Sequence, residues 1–166
     1  MSYDYSGLLS VVVSSTLVNE LDLSNIADVL GDTGYRYNQA LADGTGSGKA
    51  QAHWHDQRTL AQGADETLDL SALVGPFGSA DFSKVKAILI RVVTATANVE
   101  LTVGPAAATA FDEIFATLGP NGILPAFNPV DGWAVVTDTN DLLKLANTGT
   151  GSLTYDIIVI GEGAIS

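Results

Sequence analysis

The stretch VKAILIRVVTATA, Val85–Ala97, decides the fold. Side chains of a strand alternate between two faces. Ile88, Ile90 and Val92 then share one face, and Ala87, Leu89, Arg91 and Val93 the other. Both faces are largely apolar, so the segment reads as a central strand covered on both sides.

The rest of the chain is organised around it in short pieces. A loop with Gly75, Pro76 and Gly78 leads in, and a turn near Asn98 leads out to Val99–Val103, expected as its sheet neighbour. Upstream, Leu8–Leu23 alternates as one long strand or two, Tyr35–Leu41 as a strand, and Lys49–Gln62 as strand material with a bend. Glu66–Leu70, Ile123–Ala126, Trp133–Thr137, Leu142–Ala146 and Leu153–Ile160 follow the same pattern, with NTGTG (Asn147–Gly151) as a hairpin connection. Two segments are expected to be helical, Asp22–Gly31 with Ser24 as its cap and Ala106–Leu118. LDLS occurs twice, within Glu20–Gly31 and Thr67–Gly78, which is an echo and not a repeat array. Many short strands with frequent turn signals predict an all-β chain. The expected architecture is a single-domain β-sandwich, jelly-roll-like, over residues 24–166. Residues 1–23 are expected to form an N-terminal extended arm.

Composition narrows the function. The chain has 166 residues, 46% apolar and only 16% charged, a balance that suits a surface hidden in an assembly. Nineteen acids against seven bases give a formal net charge of -12. That argues against nucleic acid and anionic membranes as partners, since no basic patch is available. Cysteine is absent, which removes disulfides, thiolate metal sites and thiol nucleophiles. The first residues have no basic region and an interrupted apolar run, so they read as neither signal peptide nor membrane span.

Several short motifs invite chemistry. GTGSGKA, Gly44–Ala50, has the flavour of a phosphate loop. Aligned on Gly48 and Lys49, however, the leading glycine is Asp43 and the magnesium-binding hydroxyl is Ala50. An acid at that position opposes an anion, so the loop reads as a connection between strands. In HWHD, His53 and His55 point the same way along a strand and are the weak candidates for a metal site, with Trp54 opposite them. The expectation remains no metal and no cofactor. DTND, Asp138–Asp141, has oxygens for a loose calcium site but lacks the glycine and distal glutamate of a calcium-binding helix-loop-helix. It reads as a turn whose Asp and Asn bond their own backbone. No nucleophile arrangement stands out and no pair of carboxylates is selected, so no catalytic residue is assigned and no enzyme is expected. Tyr35, Tyr37, Trp54 and Trp133 would stack on sugars only if they lined one face.

The order of LVNELDLSN (Leu17–Asn25), LADGTGSGKAQAHWHDQRTLAQGADETLDLSALVGPFG (Leu41–Gly78), DFSKVKAILIRVV (Asp81–Val93), LTVGPAAATAF (Leu101–Phe111) and GWAVVTDTNDLLKLANTGTGSLTYDIIVIGEG (Gly132–Gly163) resembles a family of small β-rich virion structural proteins of tailed bacteriophages. The segment LGPNGILPAFNPVDGW, Leu118–Trp133, departs from it where a glycine pair after a short acidic loop is expected. The resemblance implies a capsid decoration, or cement, protein on the virion surface, assembled in the host cytoplasm, with the major capsid protein as partner. A tail or head-fibre protein that binds host glycans is the alternative. The apolar N-terminal stretch suits an arm that adds a strand to a neighbour, with Leu8, Val11, Val13 and Leu17 at the interface of a homo-oligomer, expected to be a trimer.

Overall fold

The computed structural model describes residues 5–13, 16–21, 24–29, 35–75, 78–106 and 108–166, with backbone alone for 16–21, 24–29 and 35. Every regular element among them is a strand. In chain order they are β1 (Gly7–Val13), β2 (Thr16–Leu21), β3 (Ser24–Val29), β4 (Tyr35–Asp43), β5 (Lys49–Ala50), β6 (Ala52–Leu60), β7 (Asp65–Asp69) and β8 (Leu73–Gly75). Then come β9 (Gly78–Val92), β10 (Leu101–Pro105), β11 (Ala116–Leu118), β12 (Ile123–Phe127), β13 (Trp133–Ala134), β14 (Leu142–Asn147) and β15 (Leu153–Ile165).

β9 is the organising strand. The largest sheet runs β12-β9-β15-β6, with β8 and β13 also paired to β9. A second sheet runs β11-β10-β14-β7. All these pairings are antiparallel. The two sheets contribute to one apolar cluster that includes Ile88, Ile90, Val92, Leu101, Val103, Leu143, Leu145, Tyr155 and Ile157. Burying each such aliphatic side chain contributes about 1.5–3 kcal/mol, which holds the sheets together. The face of β9 with Ala87, Leu89 and Arg91 points away from this cluster, as alternation predicts. On that side β1 and β4 pair as an antiparallel ribbon, and Leu9, Leu41, Ala50 and Ala87 form a small second cluster.

Three expectations are corrected. Val99–Val103 does not neighbour β9. The chain turns through Asn98, at φ 67°, and β10 joins the other sheet beside β14. Ser24 caps no helix, because Ser24–Val29 is β3, paired residue for residue with β2. A helix of that length has a costly nucleus and few bonds to offset it, whereas the hairpin satisfies both strands. Residues 22, 23, 30 and 31 lie outside the described residues. Ala106–Leu118 is not a helix either: Ala110 bridges Leu142, Phe111 N–H donates to the Leu142 carbonyl at 2.9 Å, and the segment ends in β11. The boundary expected between residues 23 and 24 falls between β2 and β3, which pair with each other.

β9 and β15 slip register between Ile160 and Gly161 and again between Glu162 and Gly163. Close backbone approach explains the glycines. A Cβ on Gly161 would sit 2.0 Å from the Lys84 carbonyl oxygen, and one on Gly163 2.0 Å from that of Asp81. Between them Glu162 is buried.

Candidate functional site

The outer face of the large sheet is built in rows that the register defines. His53, Ile160, Ala87 and Phe127 lie side by side across β6, β15, β9 and β12. The next row is His55, Ile158, Leu89 and Pro125. The row after that is Gln57, Asp156, Arg91 and Ile123. The β1–β4 ribbon covers the first row: Leu9 packs on Ala87 with Tyr5 beside them, and Tyr37 stacks on Phe127 with ring centroids 6.1 Å apart. The third row is polar, with Gln57 Nε2 donating to Asp156 Oδ1 at 2.7 Å. The middle row is left at the ribbon's margin as an apolar groove, where Leu8, Leu89 and Ile158 meet.

Among the described residues β1 stands at the edge of its sheet, paired with β4 on one side. Its sequence GLLSVVV has no charge and no proline. Leu8 is 66% exposed, Val12 51% and Val13 50%. Edge strands of monomers ordinarily carry lysine, proline or a bulge against pairing with other chains. β1 has none of these between Gly7 and Val13. Of the expected interface residues, Leu8 and Val13 are exposed and Val11 is half-buried. Leu17 lies on β2 opposite Asp28, and its side chain is outside the described residues. Leu89 and Ile158, which line the groove with Leu8, were missed, as was the exposed Val12 of β1. Val12 is visible in the sequence as part of an uncharged run. The other two needed the pairing of distant strands.

His53 and His55 project together, their rings near-parallel at 4° with centroids 6.3 Å apart. Both are exposed. Tyr5 lies against His53 at 6.1 Å, and burial pushes its phenol above the usual tyrosine range. Among the described residues no group of three or more His, Asp or Glu gathers in a way that could hold a metal ion. Trp54 points the other way, into the core, and its Nε1 donates to the Val74 carbonyl at 3.0 Å.

The glycine loop is locked from within. Gly46 N–H donates to Glu162 Oε1 at 2.9 Å, Gly48 N–H to the Pro129 carbonyl at 2.9 Å and Gly44 N–H to the Ala50 carbonyl at 3.2 Å. Amides that would face a phosphate are already taken, one of them by a carboxylate. That carboxylate is itself paired: Lys86 Nζ lies 3.0 Å from Glu162 Oε1 and donates to the Val130 carbonyl at 2.9 Å. Burial alone would raise the Glu162 carboxyl, but Lys86, the Gly46 amide and Lys84 together hold it below the usual glutamate range. The pair thus ties two loops to β9 and β15. Sequence reading missed it, although counting back by twos from Ile88 lands on Lys86.

DTND is a turn. Asn140 Oδ1 accepts from Val136 N–H at 2.8 Å and Asp141 Oδ2 from Asp138 N–H at 2.7 Å. Among the carboxylates, Glu66 accepts from two distant side chains, Tyr155 and Arg58. It joins the sheets, since Tyr155 is on β15 and Glu66 on β7. Set against known protein families and against curated proteins, the chain matches none.

Proposed function

We propose that this chain is a virion structural protein, a capsid decoration (cement) protein that binds the assembled shell of a tailed bacteriophage and stabilises it. The role is structural and not catalytic. The observation that carries this reading is β1, an uncharged strand with Leu8, Val12 and Val13 exposed on a chain of net charge -12. Such an edge is a template for strand addition by another subunit. The apolar groove beside it, with Leu89 and Ile158, enlarges the surface that a neighbour would cover. The family resemblance supports the same role.

In this reading the two sheets around β9 and β10 form a jelly-roll-like sandwich. Residues 1–23 act as an arm towards a neighbouring copy in a trimer on the capsid surface. Decoration stabilises a shell by mass action, because the ligand binds only the assembled state. The test is cosedimentation of the purified protein with mature, undecorated shells. Saturable binding at a simple ratio to the major capsid subunit is expected. Failure to bind moves the protein to another place on the particle.

One observation favours the alternative of a tail or head-fibre protein that binds host glycans. Phe115 is 74% exposed and lies over Gly104 beside Thr102 and Lys144. An open aromatic ring next to hydroxyl and ammonium donors suits a sugar face. A glycan array read with wild type and Phe115→Ala separates this reading from decoration.

A further inference from the structure

The turn that leads from β13 to β14 contains an acceptor that no donor among the described residues reaches. Asp141 is only 2% exposed. Its Oδ2 takes the Asp138 N–H at 2.7 Å, whereas Oδ1 is buried and has no hydrogen-bond partner among the described residues. The residue cannot easily swing that oxygen out to water. Its N–H donates to the Thr109 carbonyl at 3.0 Å and its carbonyl accepts from Leu70 N–H at 2.8 Å, so two other segments clamp its backbone. A buried polar oxygen without a partner is costly, and a charged one more so. Native structures hold few such groups, and each calls for an ion, a water or a strain that accounts for it.

The surroundings select an ion. Asp138 sits on the same turn, exposed, with the left-handed φ of 59° that Asp tolerates better than most residues. Among the described residues no ion pair reaches Asp138 or Asp141, while Arg58, Lys86 and Lys144 are committed to Asp56, Glu66, Glu162 and Asp65. Two formal negative charges therefore share one turn without a cation, on a chain already at -12. The available donors are oxygens, with no thiolate or imidazole in the turn. Hard oxygen ligands on an irregular turn suit calcium, which accepts variable geometry, better than magnesium, which demands a near-ideal octahedron.

We propose that the Asp138–Asp141 turn is a calcium site, with Asp141 Oδ1 as the anchoring ligand, Asp138 as the second carboxylate, and backbone carbonyls and water completing the shell. With only two carboxylates, its affinity falls in the weak range of about 0.1–1 mM. The site is independent of the virion reading and stands or falls without it.

The experiment is isothermal titration of the full chain with calcium chloride, paired with thermal melts in calcium and in EDTA. One calcium per chain is expected, with a higher Tm in calcium than in EDTA and a smaller effect of equimolar magnesium. Asp138→Asn changes an exposed position that the fold does not need, and it is expected to weaken binding by about tenfold. Asp141→Asn keeps an acceptor for the Asp138 amide, removes the charge and is expected to abolish binding. If Asp141→Asn fails to fold, Asp138→Asn decides alone. No saturable binding up to about 10 mM calcium, or an unchanged Kd in Asp138→Asn, overturns the proposal.

Discussion

The phenol of Tyr155 donates to Glu66 Oε1 across 2.6 Å, and so joins β15 of the large sheet to β7 of the other. Arg58 on β6 reaches the same carboxylate, its guanidinium lying 5.6 Å from the Trp54 ring centroid. Tyr155 is fully buried. Replacing it with Phe removes one bond to a charged acceptor and leaves the packing intact. Tyr155→Phe is therefore expected to lower stability by about 1.5 kcal/mol, read as a shift of the urea midpoint at constant slope.

A larger loss is expected at the buried ion pair. Removing one partner leaves the other charge uncompensated, which costs about 3–5 kcal/mol. Lys86→Met and Glu162→Gln are each expected to fall in that range. The double variant should lose clearly less than the sum, because neither charge is then orphaned. A double-mutant cycle in urea that returns additive losses would show that the pair is not coupled.

Two limbs are expected in the pH dependence. The Glu162 carboxyl is held low in the fold, so its contribution is present above the ordinary glutamate range of about 4.3 and is lost as pH falls below it. Burial, then the bond to Glu66, pushes the Tyr155 phenol well above its usual value. Its contribution is complete below about pH 10 and is lost as pH rises further. Urea midpoints across the pH range should show Glu162→Gln flattening the acid limb and Tyr155→Phe flattening the alkaline one, with Tyr5 leaving a residue of the latter.

The register slips on β15 make a steric prediction. Gly161→Ala and Gly163→Ala place a methyl group 2.0 Å from a backbone carbonyl oxygen. No rotamer relieves a backbone clash, so each is expected to cost more than about 3 kcal/mol. Gly119→Ala, where a Cβ meets nothing within 4 Å, serves as the control and should be nearly neutral in thermal melts.

Leu8→Lys and Val13→Lys alter exposed positions on β1. They are expected to change monomer stability by no more than about 0.5 kcal/mol. Self-association in analytical ultracentrifugation and shell binding in cosedimentation should both drop sharply. Wild-type behaviour in both assays would remove β1 from the interface.

How much of this was legible beforehand depends on what periodicity encodes. It separates inside from outside, so Ile88, Ile90 and Val92 were placed correctly from sequence. It does not say which sheet a strand joins, and β10, with Leu101 and Val103 facing inward, reads the same beside β9 or opposite it. It also fails where the ladder slips. Val85 should share the outward face of Ala87, yet it is in the main core because β9 carries an extra residue at Lys86. Alanine-rich Ala106–Leu118 offered helical propensity, and tertiary bonds to β14 overrode it. For the candidate surface, the uncharged run Leu8–Val13 was readable, whereas the groove beside it depends on β15 and β9 meeting from opposite parts of the chain.

The pairing of β6 with β15 sets a timetable for synthesis. Leu60 lies opposite Leu153, so His53 and its neighbours leave the ribosome long before their partner strand is made. At about 5–20 residues per second the wait is roughly 5–20 s. In the later part of that interval, once β9 (Gly78–Val92) has itself been made, its apolar residues Ile88, Ile90 and Val92 still lack β15 alongside them. A nascent chain of this kind has good reason to meet a holdase before it meets its own C-terminal third.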